Sequence, residues 1–283
     1  VLIDDLSFTL VGSGRKTRDW GVAAQAIHEL VYDLRTTPRT ELYATTSGFV
    51  EDQARLSRYD ALGLGVEAGV RRSLGDWTLA LGPYASWMAL DRQNYMNSVG
   101  LAFRPTYRFD RDWEGFADLR LGRQGFHPID TDRQADDNSG MVAAAWIGAN
   151  WRGLPNHALT AAVGQTRRDA RESYAASDRT AARLADVWSL RGGSFVIVSG
   201  EAGLTRYDAA NPVFSAMTRL DRDVRLGVTY GVPLGSLADD LPPEVADLVI
   251  SASAEYVRQL SDLPNYTTAN VRTGLTLTKR WGF

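Results

Sequence analysis

The chain has 283 residues, 44% of them apolar and 23% charged, and its 31 basic and 34 acidic residues are intermixed to a net charge of −3. No basic tract is available for nucleic acid or anionic lipid, so no nucleic-acid partner is expected. No window approaches the roughly 20 consecutive apolar residues of a membrane-spanning helix, and the absence of cysteine rules out a disulfide framework or thiolate metal site.

The mean hydropathy of −0.24 fits a soluble protein. It fits a transmembrane β-barrel equally well, because only alternate residues of such strands face lipid and the others face a polar interior. The sequence opens at Val1 with neither an initiator Met nor a basic segment leading into an apolar core. A secretory signal is therefore expected upstream, removed or not included.

In chain order, a short alternating segment near 5–12 is followed by less regular ones near 20–32 and 39–50. Leu62, Leu64, Val66, Ala68 and Val70 then oppose Gly63, Gly65, Glu67, Gly69 and Arg71. Trp77, Leu79, Leu81, Ala85 and Trp87 oppose Thr78, Ala80, Gly82, Tyr84 and Ser86. Val99, Leu101, Phe103, Tyr107 and Phe109 oppose Arg104, Thr106 and Arg108, and Trp113, Ala117, Leu119 and Leu121 oppose Glu114, Asp118 and Arg120.

Less regular segments follow near 139–152, 156–168, 180–191 and 194–206. Val224, Leu226, Val228 and Tyr230 oppose Asp223, Arg225, Gly227 and Thr229; Leu248, Ile250, Ala252, Ala254 and Tyr256 oppose Ser251, Ser253 and Glu255. The last segment sets Ala269, Val271, Thr273, Leu275, Leu277, Trp281 and Phe283 against Asn270, Arg272, Gly274, Thr276, Thr278 and Arg280, and ends on an aromatic.

These segments number about fourteen, to within two, and most reach the 9 to 11 or so residues of a tilted membrane strand. Strands of a soluble β-sandwich or lectin-like module, the alternative fold, run about 5 to 6 residues. The pattern predicts one all-β domain over 1–283, a transmembrane antiparallel up-and-down β-barrel of the bacterial outer membrane in contact with its lipids.

Tight turns are expected at Arg72 to Asp76, Asp110 to Asp112, Arg152 to Asn156 and Arg191 to Ser194, all on the periplasmic side. Longer polar loops are expected at His127 to Ser139 and Arg168 to Thr180. Gly231 to Asp247 breaks the alternation, as a short periplasmic helix or plug, or as a slip of one in the count. Trp20, Tyr32, Trp77, Trp87, Tyr107, Trp113, Trp151, Tyr230, Tyr256 and Trp281 fall near strand ends, where interfacial girdles belong.

Under this alternation Glu67, Arg71, Arg104, Arg108, Glu114, Asp118, Arg120, Glu201, Asp223, Arg225, Glu255 and Arg272 line the interior. Such a mixed-charge lining makes either a wet conduit or a closed, cross-braced lumen, with Glu114 or Asp118 candidates to pair with Arg104. Of the histidines His28, His127 and His157, only His127 has polar company in a loop, beside Asp130, Asp132 and Ser139. No nucleophile elbow accompanies it, and no catalysis is expected. Asp130, Asp132, Asp136 and Asp137 lack the order of a calcium loop, and the glycine spacing of Gly12 and Gly14 is wrong for a phosphate loop. No metal or cofactor is expected.

Barrel length, strand count and the ending Leu275-Thr276-Leu277-Thr278-Lys279-Arg280-Trp281-Gly282-Phe283 resemble the C-terminal barrel of the surface lipoprotein assembly modifier family. The resemblance implies a periplasmic helical-repeat domain before residue 1 and a barrel that helps a client lipoprotein or related envelope protein cross or settle in the outer membrane. It also implies that Trp281 and Phe283 belong to a signal read by the barrel-insertion machinery. Exopolysaccharide export barrels likewise follow helical repeats, so a polysaccharide client stays open beside a lipoprotein. A passive porin for small solutes and an outer-membrane hydrolase are the remaining alternatives.

Overall fold

A computed structural model describes residues 21–53, 57–211, 213, 215–237, 241–246 and 248–278. They form thirteen antiparallel strands: β1 Gly21–Asp33, β2 Thr40–Gln53, β3 Ala61–Leu74, β4 Trp77–Leu90, β5 Gln93–Arg108, β6 Trp113–Phe126, β7 Gly140–Trp151, β8 His157–Ala170, β9 Ser177–Ser189, β10 Phe195–Tyr207, β11 Leu220–Pro233, β12 Val249–Ser261 and β13 Thr268–Thr278. All belong to one sheet in strictly sequential order, each strand paired to its chain neighbours. The alternating segment near 5–12 lies outside the described residues, as do Trp20, Trp281 and Phe283.

Strand lengths of 11 to 16 residues suffice to cross a bilayer obliquely. Period-two patterning makes the sheet two-faced. Along β3, Leu62, Leu64, Val66, Ala68 and Val70 are exposed, whereas Gly63, Gly65, Glu67, Gly69 and Arg71 are buried or half-buried. The exposed face continues through Leu101, Leu121, Ile147, Val163, Leu184, Leu226 and Leu275, with Ile147 64% and Val163 61% exposed.

No large side chain among the described residues is fully buried. A soluble sandwich needs a second sheet and a dry layer of such side chains between the two. Here the apolar face has no protein to cover it, which is the condition of a barrel wall in lipid.

The strand order assigns every connection to one of two rims. One rim carries the β1–β2, β3–β4, β5–β6, β7–β8, β9–β10 and β11–β12 connections; the other carries those of β2–β3, β4–β5, β6–β7, β8–β9, β10–β11 and β12–β13. The 231–247 segment resolves without a slip in the count. The β11–β12 ladder runs to Pro233↔Val249, and the connection holds the short helix α1, Pro243–Ala246.

One expectation needs correction: tight turns are not confined to the first rim. Asp91 and Arg92 close β4 onto β5 in two residues at the opposite rim, both at positive φ (51° and 60°), the geometry of a type I′ hairpin turn. The loop expected over 168–180 is also shorter. β8 and β9 extend into it, with Arg168 facing Ser177 in register, leaving only 171–176.

Outward aromatics cluster at the first rim. Trp77 and Tyr107 meet at a tilt with 4.8 Å between centroids, Tyr107 and Phe109 meet edge-on at 4.9 Å, Trp113 and Trp151 lie 6.0 Å apart, and His157 and Trp188 5.6 Å apart. Rings with an apolar body and a polar edge suit the headgroup level.

Candidate functional site

Cross-strand register decides which side chains share the inner face. One continuous row reads Glu41, Arg71, Ala80, Arg104, Asp118, Trp146, Gly164, Ala181, Gly203, Asp223 and Gln259, from β2 to β12. Parallel rows hold Glu67; Arg120; Glu201 with Arg225; and Glu255 with Arg272. Glu114, opposite Arg108, occupies the same face near the first rim.

Two ionic clusters form on this face. In the first, Arg104 forks onto both carboxylate oxygens of Glu67, with Nη2 to Oε2 at 2.6 Å, and donates Nε to Asp118 at 3.2 Å. Asp118 also accepts from Arg120 Nε at 3.2 Å, and Tyr43 donates its hydroxyl to Glu67 at 2.8 Å. Arg71 meets Glu29 at 3.1 Å and Glu41 at 3.5 Å while lying over the Tyr43 ring. Asp118 is thus the carboxylate that takes Arg104, and Glu114 instead accepts from Asn150 at 3.1 Å.

In the second cluster Arg179 bridges Glu201 at 2.6 Å and Asp223 at 2.8 Å, and Arg225 meets Glu255 at 3.3 Å. Arg183 caps the Trp146 ring 4.4 Å from its centroid. Arg108 and Arg272 are more exposed than the rest.

The longest of these bridges skip a strand. Neighbouring strands lie about 4.8 Å apart, so Glu67 on β3 and Arg104 on β5, or Arg179 on β9 and Asp223 on β11, are separated by about 9.6 Å of sheet. At these two crossings the guanidinium passes over a gap in the intervening strand, whereas the Arg71–Glu29 bridge across β2 lies over the Tyr43 ring. Ala80 and Gly82 supply the gap on β4. Gly203 supplies it on β10, where a Cβ would lie 2.6 Å from Arg179 Nη2 and 2.7 Å from Asp223 Oδ1.

Tyr43, Glu41, Glu29 and Arg179 were not among the residues singled out by alternation. Their segments alternate weakly, and Arg179 falls one residue before the 180–191 segment. For Arg179 the available signal was charge complementarity with Asp223 across a small residue, Gly203.

The loop residues do not converge. His127 Nε2 lies 3.0 Å from Asn97 Nδ2, the Ser139 hydroxyl pairs with the Phe126 backbone, and Asp132 accepts from Tyr95. Asp130 accepts from Gln93, Asp136 from Arg171 and Asp137 from Tyr174. Burial and the Asp137 carboxylate push the Tyr174 hydroxyl above its usual value. His28 stands on the outer face, and His157 meets Asp186 at 3.3 Å near the first rim.

The second rim is laced instead. Arg171 N–H donates to the Ser139 carbonyl, Glu172 N–H to that of Asp137, and Asp208 N–H to that of Ala176, while Arg167 clamps Asp208 at 2.6 Å. The Arg167 guanidinium holds the Asp208 carboxyl below the usual carboxylate range. Ile129, Ala135, Ala175 and Ala176 are buried beneath this lacing.

An apolar outer face, a rim of aromatics and an inner face on which the charges collect complete the picture. The chain is a β-barrel of the bacterial outer membrane.

No protein-family model matches the chain, and no curated protein is significantly similar to it. Among solved structures it is similar to OccAB3 of Acinetobacter baumannii, with 9% identity, a TM-score of 0.44 and 90% of each chain covered. A loop-deletion mutant of OmpT, an outer membrane protein of Vibrio cholerae, gives 11% identity and a TM-score of 0.41 over 90% of this chain and 97% of that one. The β domain of the Bordetella autotransporter BrkA gives 15% and 0.33 over 92% and 96%. Likenesses at this level assign neither a family nor an activity.

Proposed function

We propose that this barrel is a non-enzymatic conduit through which a polar envelope client, a lipoprotein or an exopolysaccharide, crosses or settles in the outer membrane. The observation that carries the reading is the pairing of inner-face charges across intervening strands. Glu67, Arg104, Asp118 and Arg120 neutralise one another locally, and Arg179, Arg225 and Arg272 balance Glu201, Asp223 and Glu255 along neighbouring rows. Such a wall offers many hydrogen-bonding groups and little net field, which suits polar matter of either or no charge. An ion-selective porin instead calls for rings of charge of one sign.

The resemblance to the surface lipoprotein assembly modifier barrels supports a lipoprotein client, although its closing residues 279–283 lie outside the described ones. The test is deletion of the gene in its native host, followed by labelling of surface lipoprotein and surface polysaccharide. Loss of one of them from the surface, with periplasmic retention, is the expected result. Unchanged surface content together with slowed uptake of small solutes would overturn the reading in favour of a passive porin.

A further inference from the structure

The inner wall holds a cavity of about 260 Å³, lined by residues of β2 to β5. Its floor is Ala80, whose small side chain leaves a gap in the row between Arg71 on β3 and Arg104 on β5. Two strand spacings, about 9.6 Å, separate the backbones that carry those arginines. Thr78 and Thr106 face each other in register on one side of Ala80, and Thr45 closes the cavity from β2.

The hydrogen-bonding capacity around the cavity is only partly used. Among the described residues no group bonds to the side-chain hydroxyls of Thr45, Thr78 or Thr106. Of the five N–H donors on each guanidinium, Arg104 uses three, on Glu67 and Asp118, and Arg71 uses two, on Glu29 and Glu41. Both arginines remain about one-third exposed.

Charge selects among solutes. Glu29, Glu41, Glu67 and Asp118 already surround Arg71, Arg104 and Arg120. Arg39 also meets Glu41, at 2.6 Å, so four arginines balance four carboxylates, and an anion could enter only by displacing a carboxylate already in place. A neutral molecule with several hydroxyls can accept from the spare N–H groups and also exchange hydrogen bonds with the threonines. The volume fits one pyranose ring.

We propose that this cavity is a subsite for a neutral saccharide unit, held by Arg71, Arg104 and the Thr45, Thr78 and Thr106 hydroxyls over the Ala80 floor. The proposal rests on the reading of the barrel as a conduit and deepens it, because it names the class of client or solute that meets the wall.

The probe is methyl β-glucoside, observed by saturation-transfer NMR on the full chain refolded in detergent, with gluconate as its anionic counterpart. The expected result is transfer to the glucoside that falls at least fivefold in Ala80→Leu, which fills the floor, and in Thr78→Val/Thr106→Val, which removes hydroxyls at constant shape. Thr229→Val, an inner-face threonine on β11, should keep the signal. Heat-modifiable gel mobility reports folding of each variant, and the double valine variant decides the matter if the leucine variant misfolds.

Absence of transfer in the wild type, full retention in the double variant, or displacement of the glucoside by equimolar gluconate would each overturn the proposal. Failure of the conduit reading shows separately. In that case the deletion strain keeps its surface lipoprotein and polysaccharide whether or not the cavity binds.

Discussion

Replacing Gly203 by alanine puts a methyl group where the Arg179–Asp223 ion pair passes over β10, and its cost can be set against the same substitution at Gly69. At Gly203 the new Cβ meets only the tips of two flexible side chains. Arg179 can swing off Asp223 and keep Glu201 at 2.6 Å, so one charge-assisted hydrogen bond is lost. Such a bond is worth about 1.5 to 3 kcal/mol. Both partners are roughly a quarter exposed, and solvent screening lowers the value to the bottom of that range or just below it, about 1 to 1.5 kcal/mol.

At Gly69 the Cβ meets the Leu81 carbonyl and lies 2.8 Å from the Gly82 Cα. Those are backbone atoms of the paired strand, which cannot yield without stretching the β3–β4 ladder, so Gly69→Ala should cost about 2 to 3 kcal/mol. Guanidinium unfolding from phospholipid vesicles, followed by tryptophan fluorescence, measures both. The deciding comparison is a double-mutant cycle. On an Asp223→Asn background, where the bridge is already weakened, the cost of Gly203→Ala should fall to near zero. An unchanged cost in the cycle, or a larger effect at Gly203 than at Gly69, would refute the strand-skipping account.

Further expectations concern the faces, the rim and one turn. Leu226→Arg or Leu119→Arg, on the outer face, should cost about 2 to 4 kcal/mol of insertion free energy; Gly227→Ala, whose Cβ meets only the Ser199 hydroxyl, should be almost silent in the same vesicle assay. Equal effects would reverse the face assignment. The Arg167–Asp208 clamp depresses the Asp208 carboxyl below its ordinary value of 3.8. Its stabilising contribution is therefore complete above that pH and is lost as pH falls through the depressed value. Pepsin cleavage in 208–219 should rise over that acid range in the wild type and show no such rise in Arg167→Gln; identical profiles would count against the clamp. Arg92→Gly, at φ 60°, should stabilise the β4–β5 hairpin by about 0.5 to 1 kcal/mol in the vesicle unfolding assay, because glycine takes that conformation without a Cβ penalty. A loss of stability there would mean that the Arg92 side chain matters more than its backbone.

Legibility varied along the chain for physical reasons. β3 to β6 stood out because Leu, Val, Trp and Phe on the outer face oppose Gly, Arg and Glu on the inner one. β7 to β9 read weakly because their outer face is padded with Ala143, Ala145, Ala161 and Ala182 and interrupted by Gln165 and Asp186. The Asp91–Arg92 turn carries no glycine or asparagine, the usual mark of positive φ, so only the backbone reveals it.

The site was legible by face and not by neighbour. Alternation tells which way Glu67 and Arg104 point, but they are 37 residues apart, and only the registers Arg71↔Ala80 and Ala80↔Arg104 bring β3 and β5 to a common height. With register in hand, the logic turns predictive. A bridge over an intervening strand needs opposite charges on the flanking strands and either a residue no larger than alanine between them or, as for Arg71 and Glu29 across Tyr43, a ring over which the guanidinium can lie. The Gly203 crossing meets both conditions, and so do Ala80 and Gly82. At Trp146 a bulky ring fills the row, and Arg183 stacks on that ring. Small inward residues therefore mark two of the crossings in this wall, and aromatic rings carry Arg71 and Arg183 elsewhere.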